Sequence, residues 1–171
     1  MSDAAEPEGE PEDTPGEATQ EQLKADREFS GELNEQELQE LVAGLQTNIL
    51  ILGAGGAGNN TLERLYREGI DGVEMLAVNT DAQHLLNARV PHRLLIGRQL
   101  TKGLGAGSDP GKGEGAAEEA REELLNACHG ADIVFLTGGL GGGTGTGALP
   151  VMARSAKEQQ ALTIAIVTLP F

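Results

Sequence analysis

The chain of 171 residues is poor in the side chains that bind metals or form disulfides. Cys128 is its single cysteine, so no disulfide can form within it, and a reducing cytoplasm is the predicted compartment. The three histidines, His84, His92 and His129, are scattered without the spacing of metal ligands. We therefore predict structural or surface roles for these four side chains, and we assign no metal ligand and no catalytic residue.

Long apolar segments and an excess of basic charge are also lacking. No apolar run reaches the ~18 residues that a membrane span needs, and the N-terminus is acidic, unlike that of a signal peptide. Of the formal net charge of -15, most belongs to residues 1–47, which hold 14 Asp/Glu and 2 Lys/Arg. Neither this segment nor the nearly balanced remainder has the basic face that a phosphate backbone attracts. These absences argue against membrane insertion and against nucleic-acid binding.

Composition divides the chain into three parts. Residues 1–33 are rich in Glu, Asp, Pro and Gly, and they cannot bury enough apolar surface to offset chain entropy, which predicts a disordered acidic arm. Residues 34–47 predict an amphipathic helix that packs on its own domain, with a partner-binding helix as the alternative. Its apolar residues recur at helical spacing: Leu38, Leu41, Val42 and Leu45. Residues 48–171 are then left for one globular domain of ordinary size.

The functional interpretation depends on residues 138–147, which we call the glycine segment. Seven of its ten residues are glycine, and it follows an apolar run at 133–136. Because glycine weakens helices and strands, we predict a loop between a buried strand and a helix. Bare backbone N–H groups there would let a phosphate approach the positive end of the helix, with hydroxyl donors from Thr144 and Thr146. A flexible linker is the alternative, but linkers are seldom held between two apolar elements.

The same pattern makes a prediction about the helix after the glycine segment. Pro150 is expected in the first turn of that helix, since further inside it would remove a backbone hydrogen bond.

Two more glycine-rich turns are predicted. Residues 53–58 follow the apolar run 49–52 and satisfy G-x-G-x-x-G between a strand and a helix, which suggests pyrophosphate contact, although close strand–helix packing also selects glycine. Residues 101–110 form the other turn. It is no Walker A motif, because Gly111 and Lys112 are followed by glycine, but its small residues would admit a terminal phosphate. Lys102 is a candidate to neutralise charge there, with a solvated lysine as the alternative.

Polar residues also follow the strand predicted at 73–78. Thr80 and Gln83 have the spacing of a capping box, which predicts that Thr80 caps the next helix. Asn79 and Asp81 would lie at the carboxyl end of the strand, where open α/β sheets bind ligands. They are therefore either ribose or phosphate contacts or members of the same cap.

The remaining pattern completes a strand–helix alternation, with strands near 93–96 and 161–169 and a helix at 116–128. The predicted fold class is α/β, a Rossmann-like parallel sheet flanked by helices. Right-handed crossovers would bring the glycine-rich turns to one edge of the sheet, at the carboxyl ends of the strands. Three such turns at one edge favour a nucleotide with several phosphates.

These motifs resemble the nucleotide-binding half of FtsZ, in the tubulin/FtsZ family of GTPases. Residues 141–147, with the sequence GGGTGTG, match the family signature in full. Residues 53–60, 79–83 and 101–107 are similar to its other nucleotide loops in order and spacing, and the first of these is nearer to FtsZ than to tubulin. The likeness covers residues 48–171. It excludes the acidic arm, whose length is only loosely similar to that of extended archaeal members.

The resemblance implies that GTP or GDP is the ligand, with Mg²⁺ on the phosphates, mostly through water. It assigns nucleotide contacts in the first turn to Gly56, Ala57, Gly58, Asn59 and Asn60. It places Ala106 and Gly107 near the γ-phosphate. The α- and β-phosphates would be held by the backbone amides of Gly142, Gly143, Thr144 and Gly145.

The resemblance further implies a cytoplasmic cell-division protein that polymerises head-to-tail at the division site and hydrolyses GTP where subunits meet. In the family, a central helix, a catalytic acidic loop and a C-terminal domain follow the strand that ends near Phe171, and these 171 residues do not contain them. We therefore expect an incomplete GTP-binding domain that binds GTP or GDP weakly and does not turn it over unaided.

The sequence leaves two alternative functions open. An NAD-type oxidoreductase is supported by the G-x-G-x-x-G turn and by Asp81, about 20 residues further on, but it leaves the glycine segment unexplained. The other is a non-catalytic module that caps filaments of a complete homologue.

Overall fold

The computed structural model describes residues 33–45 and 47–170. The chain divides into two compact units, residues 1–45 and 46–171. Nearly all of the predicted acidic arm lies outside the described residues, so its disorder stays a prediction. No helix within the described ranges is both long and apolar enough to traverse a bilayer.

In the first unit, helix α1 spans Glu35–Gly44, inside the predicted range 34–47. Asn34 and Glu37 form a reciprocal capping box: Glu37 N donates to Asn34 Oδ1 over 2.8 Å, and Asn34 N donates to Glu37 Oε2 over 3.0 Å. The four apolar residues predicted to form its packing face are 50–79% exposed. The predicted docking of this helix therefore stays a prediction.

The second unit alternates strands and helices, which confirms the predicted α/β fold. In chain order the elements are β1 Ile49–Ala54, α2 Gly55–Glu68, β2 Val73–Asn79, α3 Ala82–Asn87, β3 His92–Leu95, α4 Pro110–Glu119, α5 Arg121–Cys128, β4 Ile133–Gly139, α6 Gly143–Glu158 and β5 Leu162–Thr168. The five strands form one parallel sheet in the order β3-β2-β1-β4-β5.

Strand β1 lies at the centre of the sheet because both of its faces are apolar, as parallel strands covered on both sides require. Leu52 is paired with Leu76 of β2 and with Leu136 of β4, and its side chain is completely buried. One face packs against α5 and α6, and the other packs against a smaller cluster that includes Leu62. This pairing aligns the carboxyl ends of β1 and β4, where the glycine-rich turns begin.

Strand β5, at one edge of the sheet, leaves its large apolar side chains exposed to solvent. It pairs with β4 along one side, and its large apolar residues are 36–62% exposed: Leu162, Ile164, Ile166 and Val167. Among the described residues, none packs over this strand closely enough to bury these side chains.

The prediction that Pro150 lies in the first turn of its helix is wrong. Helix α6 begins at Gly143, so Pro150 lies in the helix interior. The helix starts within the glycine segment itself, and the strand before it continues to Gly139, so the loop between them has only three residues. The side chain of Pro150 is exposed, and its missing N–H leaves the carbonyl of Thr146 without its usual helical donor.

The predicted cap of α3 is also wrong. Its N-cap is Asp81, whose Oδ1 accepts a hydrogen bond from His84 N over 2.9 Å. The physical reason is that β2 continues to Asn79, one residue beyond the predicted end, and Thr80 turns its side chain into the interior.

The helix predicted at 116–128 consists of two helices, α4 and α5, joined at Ala120. Helix α4 starts six residues earlier than predicted, at Pro110, after the N-cap Asp109. Helix propensity does not indicate this start, because Gly111, Gly113 and Gly115 are poor helix formers. The Asp-Pro pair at 109–110 was the available signal, since aspartate is favoured at the N-cap and proline at the first helical position.

Candidate functional site

A cleft with a volume of about 300 Å³ opens at the carboxyl ends of the neighbouring strands β1 and β4. It brings together six of the eleven residues predicted to contact a nucleotide. The lining residues are Ala54, Gly55, Gly56, Ala57, Gly139, Gly141, Gly142, Gly143, Thr144 and Gly145. The walls are therefore almost entirely backbone, with the first turns of α2 and α6 facing each other.

The two helices that begin in the cleft have free N-termini. The N-cap residues, Ala54 for α2 and Gly142 for α6, make no side-chain capping hydrogen bond. By contrast, the neighbouring helices α3 and α4 are capped by the carboxylates of Asp81 and Asp109. The first-turn N–H groups of α2 and α6 thus have neither a helical partner nor a cap, and together they form a site for an anion.

The glycines of the glycine segment have two separate roles. Gly142 has open space around it, so the missing side chain leaves that wall of the cleft bare. At Gly147, however, a Cβ atom would overlap the carbonyl oxygen of Pro110, and at Gly113 it would overlap that of Gly143. The sequence predicts a phosphate loop for all glycines of the glycine segment, whereas Gly147, together with Gly113 of α4, permits α4 and α6 to pack backbone to backbone.

The hydroxyl groups predicted to line the cleft are turned inward. Thr144 Oγ1 lies 2.7 Å from Thr80 Oγ1, and both side chains are buried. Thr101 Oγ1 donates to the carbonyl of Gly97 over 2.9 Å in the same region. Thr146 Oγ1 is buried without a hydrogen-bond partner among the described residues. The Thr80–Thr144 pair therefore joins the end of β2 to the start of α6, and the backbone N–H groups remain the donors of the cleft.

Replacement of either hydroxyl in this pair is expected to destabilise the fold. In Thr80→Val the hydroxyl of Thr144 is left buried without its partner, which should lower the free energy of unfolding by about 1–2 kcal/mol, and Thr144→Val should act in the same way. The double variant should cost less than the sum of the two, because no unpaired hydroxyl is left. Urea denaturation of the four proteins measures this coupling, and additive losses would contradict a direct hydrogen bond.

Asn59 supports the first turn from inside. It is 1% exposed, and in the amide orientation that its neighbours dictate, its nitrogen donates to the carbonyls of Gly53 over 2.8 Å and Gly55 over 3.2 Å. Its oxygen accepts from Asn79 Nδ2 over 3.1 Å. The side chain of Asn59 thus holds the turn from which the amides of α2 project, while that of Asn60 is exposed.

The turn at residues 101–110 borders the cleft without lining it. Ala106 is buried, and its Cβ lies 2.8 Å from the point that a Cβ on Gly143 would occupy. Gly107 has a φ of 59° and open space around it, and Lys102 is exposed. Of the three predicted turns, the first and the last therefore meet, and this one packs beside the start of α6.

The cleft has no ligand set for a metal ion. Its lining residues carry no carboxylate, imidazole or thiol. Within residues 33–45 and 47–170, no three His, Cys, Asp or Glu side chains are grouped so that they could hold a metal. The side chains that line the cleft therefore supply no charged ligand for a metal ion.

Two other features lie away from this site. Burial raises the pKa of the Cys128 thiol to about 11, so the thiol stays protonated and unreactive in the core.

A larger cavity, of about 570 Å³, lies at the opposite edge of the sheet near the amino ends of β1 and β2. In the part of the chain that the structure describes, no helix begins at that edge to offer free amides, so we place the anion site in the smaller cleft.

Comparison with known proteins agrees with this geometry. Residues 48–171 match the Tubulin/FtsZ family, GTPase domain. Cell division protein FtsZ of Haloferax mediterranei is 54% identical over 142 residues, which are 83% of this chain and 38% of that protein. A solved structure of an FtsZ variant from M. jannaschii superposes with a TM-score of 0.75 at 51% identity, covering 80% of this chain and 41% of the other.

A more distant structure adds a bound nucleotide analogue. CetZ2 from Haloferax volcanii, described as a protofilament with GTPγS bound, has a TM-score of 0.64 at 28% identity and covers 71% of this chain and 39% of its own. The chain spans about two fifths of the length of the relatives it matches. These matches favour a GTPase domain over the alternative of a dinucleotide-dependent oxidoreductase.

Proposed function

The chain belongs to the tubulin/FtsZ family, and from this premise we propose that it binds GTP or GDP by the phosphates, in the cleft between α2 and α6. The observation that carries the proposal is the pair of free helix N-termini, at Ala54 and Gly142, that open into one cleft. A polyphosphate supplies the negative charge that such N-termini stabilise. The GTPγS of the CetZ2 structure supports this choice of ligand.

The proposed contacts follow the walls of the cleft. Backbone N–H groups of Gly142, Gly143, Thr144 and Gly145 would hold the α- and β-phosphates, and those of Gly56 and Ala57 would complete the cradle. Gly58 and Asn59, which are buried, would act by shaping the turn, and Asn60 would reach the nucleotide from its exposed position. Ala106 and Gly107 would lie on the side of the terminal phosphate. Mg²⁺ would be bound by the phosphates and water.

We propose further that this chain binds the nucleotide without turning it over alone. The cleft lining contains no carboxylate that could orient an attacking water. In a complete homologue the same face would meet a second subunit in a head-to-tail filament at the division site in the cytoplasm. A head-to-tail contact does not close on itself, and so it builds filaments.

Titration calorimetry with GTP, GDP, GMP and guanosine tests the binding proposal. GTP and GDP should bind at least about 10-fold more tightly than GMP, because a second phosphate adds charged hydrogen bonds to amides of both helices. Equal affinities for GDP and guanosine would contradict a phosphate site. Displacement of GDP by NAD at lower concentration would instead support the oxidoreductase interpretation.

A phosphate-release assay on the purified chain tests the second part. No release above background is expected at low protein concentration with GTP and Mg²⁺. Steady release would show that the chain carries a complete catalytic site.

A further inference from the structure

We infer that His84 is a phosphate contact at the rim of the cleft, through the N–H group at its Nε2. The inference rests on the proposed function and adds a side chain to a site otherwise made of backbone. His84 lies on α3, outside the glycine-rich turns, and nothing in its sequence spacing indicates a ligand.

The position of the His84 imidazole relative to the cleft is given by its distance from Gly56. The Nε2 atom of His84 lies 3.7 Å from the point that a Cβ atom on Gly56 would occupy, and Gly56 lines the cleft. The His84 side chain is half-buried, so it combines protein neighbours with partial exposure to solvent, and it lies beside the lining residue Gly56 without itself lining the cleft. A phosphate bound at the first turn of α2 would therefore lie beside the imidazole.

The hydrogen bond with Asn79 determines which ring nitrogen of His84 carries the hydrogen. Asn79 Oδ1 accepts from Thr80 N over 2.9 Å and from Asp81 N over 3.3 Å, which fixes the orientation of the amide. Its Nδ2, a donor only, then faces His84 Nδ1 at 3.4 Å. Nδ1 must accept this bond, so the neutral ring carries its hydrogen on Nε2, the nitrogen beside Gly56.

The attachment runs through a chain of amide groups. Asn79 Nδ2 also donates to the oxygen of Asn59, whose nitrogen holds the carbonyls of Gly53 and Gly55. The backbone of His84 is fixed in turn by its hydrogen bond to the carboxylate of Asp81. The imidazole and the amides of α2 are thus parts of one hydrogen-bonded unit, and the donor at Nε2 is held in place before any ligand arrives.

The test compares His84→Ala and His84→Gln with the unaltered chain, by calorimetry with GDP and with inorganic pyrophosphate. His84→Ala should weaken both ligands about 10-fold, the usual effect of losing one charged hydrogen bond. His84→Gln retains an N–H donor of similar reach and should stay within about threefold of the unaltered chain. The matched control is His92→Ala, an exposed histidine on β3, and it should change neither affinity.

A second measurement is independent of affinity. In ¹⁵N NMR spectra, Nε2 of His84 should carry the proton in the free protein, and its signal should shift when pyrophosphate binds. A proton on Nδ1, or unchanged binding by His84→Ala while the unaltered chain binds GDP, would overturn the inference alone. Weaker binding of GDP with unchanged binding of pyrophosphate would place the contact on the nucleoside and also overturn it. No binding of either ligand by the unaltered chain would overturn the proposed function as well.

Discussion

Gly147→Ala is expected to lower the free energy of unfolding by about 3 kcal/mol, a large part of the total stability of a domain of this size. The added methyl group would overlap the carbonyl oxygen of Pro110, press on the backbone nitrogen of Glu114 and lie 2.8 Å from the carbonyl carbon of Gly113. All three are backbone atoms of α4, which cannot rotate away as a side chain could. The two helices would have to separate, and the cleft beside them would lose its shape.

The matched control is Gly142→Ala, five residues earlier in the same segment. Its φ of -114° and ψ of 178° suit any residue, and a Cβ there would meet no atom within 4 Å. Because glycine is a better N-cap than alanine, the free energy of unfolding of Gly142→Ala should fall by about 0.5–1 kcal/mol, well short of the loss expected for Gly147→Ala. Chemical denaturation followed by circular dichroism compares the two variants. Equal stability would mean that α4 and α6 do not pack as closely as described.

This pair of glycines shows which part of the site the sequence could predict. Alternating apolar runs and glycine-rich turns were enough for the sheet and for the edge on which the cleft lies. They did not predict where α4 and α6 begin, because the sequence alone does not distinguish a glycine required for close helix packing from a glycine required for a loop. The atoms that explain Gly147 belong to Pro110 and Glu114, more than thirty residues away in the chain.

The caps illustrate a second limit. Thr80 and Asp81 are neighbours that can both cap a helix, and the choice between them depends on where β2 ends. That end is set by pairing with β1 and β3, where Asn79 is still paired with Leu95. The roles of Asn59 and Asn79 depend similarly on contacts across the sheet edge. Local patterns predicted polar groups at this edge, but the direction of each side chain is a tertiary property.

The second large effect is expected from Asn59→Asp, which exchanges one amide nitrogen for oxygen. In the native turn that nitrogen donates to the carbonyls of Gly53 and Gly55, so the variant places a carboxylate against two carbonyl oxygens at a site 1% exposed to solvent. An unpaired buried charge of this kind should cost about 3–5 kcal/mol of unfolding free energy. Because the same turn positions the amides of α2, affinity for GDP should fall with it.

Asn60→Asp is the control for this variant, since it makes the same exchange at the neighbouring exposed residue and should change stability by no more than about 0.5 kcal/mol.

The pH dependence of the free energy of unfolding tests whether the buried carboxylate causes the loss. When protonated, the carboxyl group of Asn59→Asp can donate to one of the two carbonyls, so the folded variant binds a proton more readily than the unfolded one. Its stability relative to the control should consequently rise as the pH is lowered. A deficit that is the same at every pH would mean that the loss comes from something other than a carboxylate facing carbonyl oxygens, and the assignment of Asn59 as the support of the turn would fail.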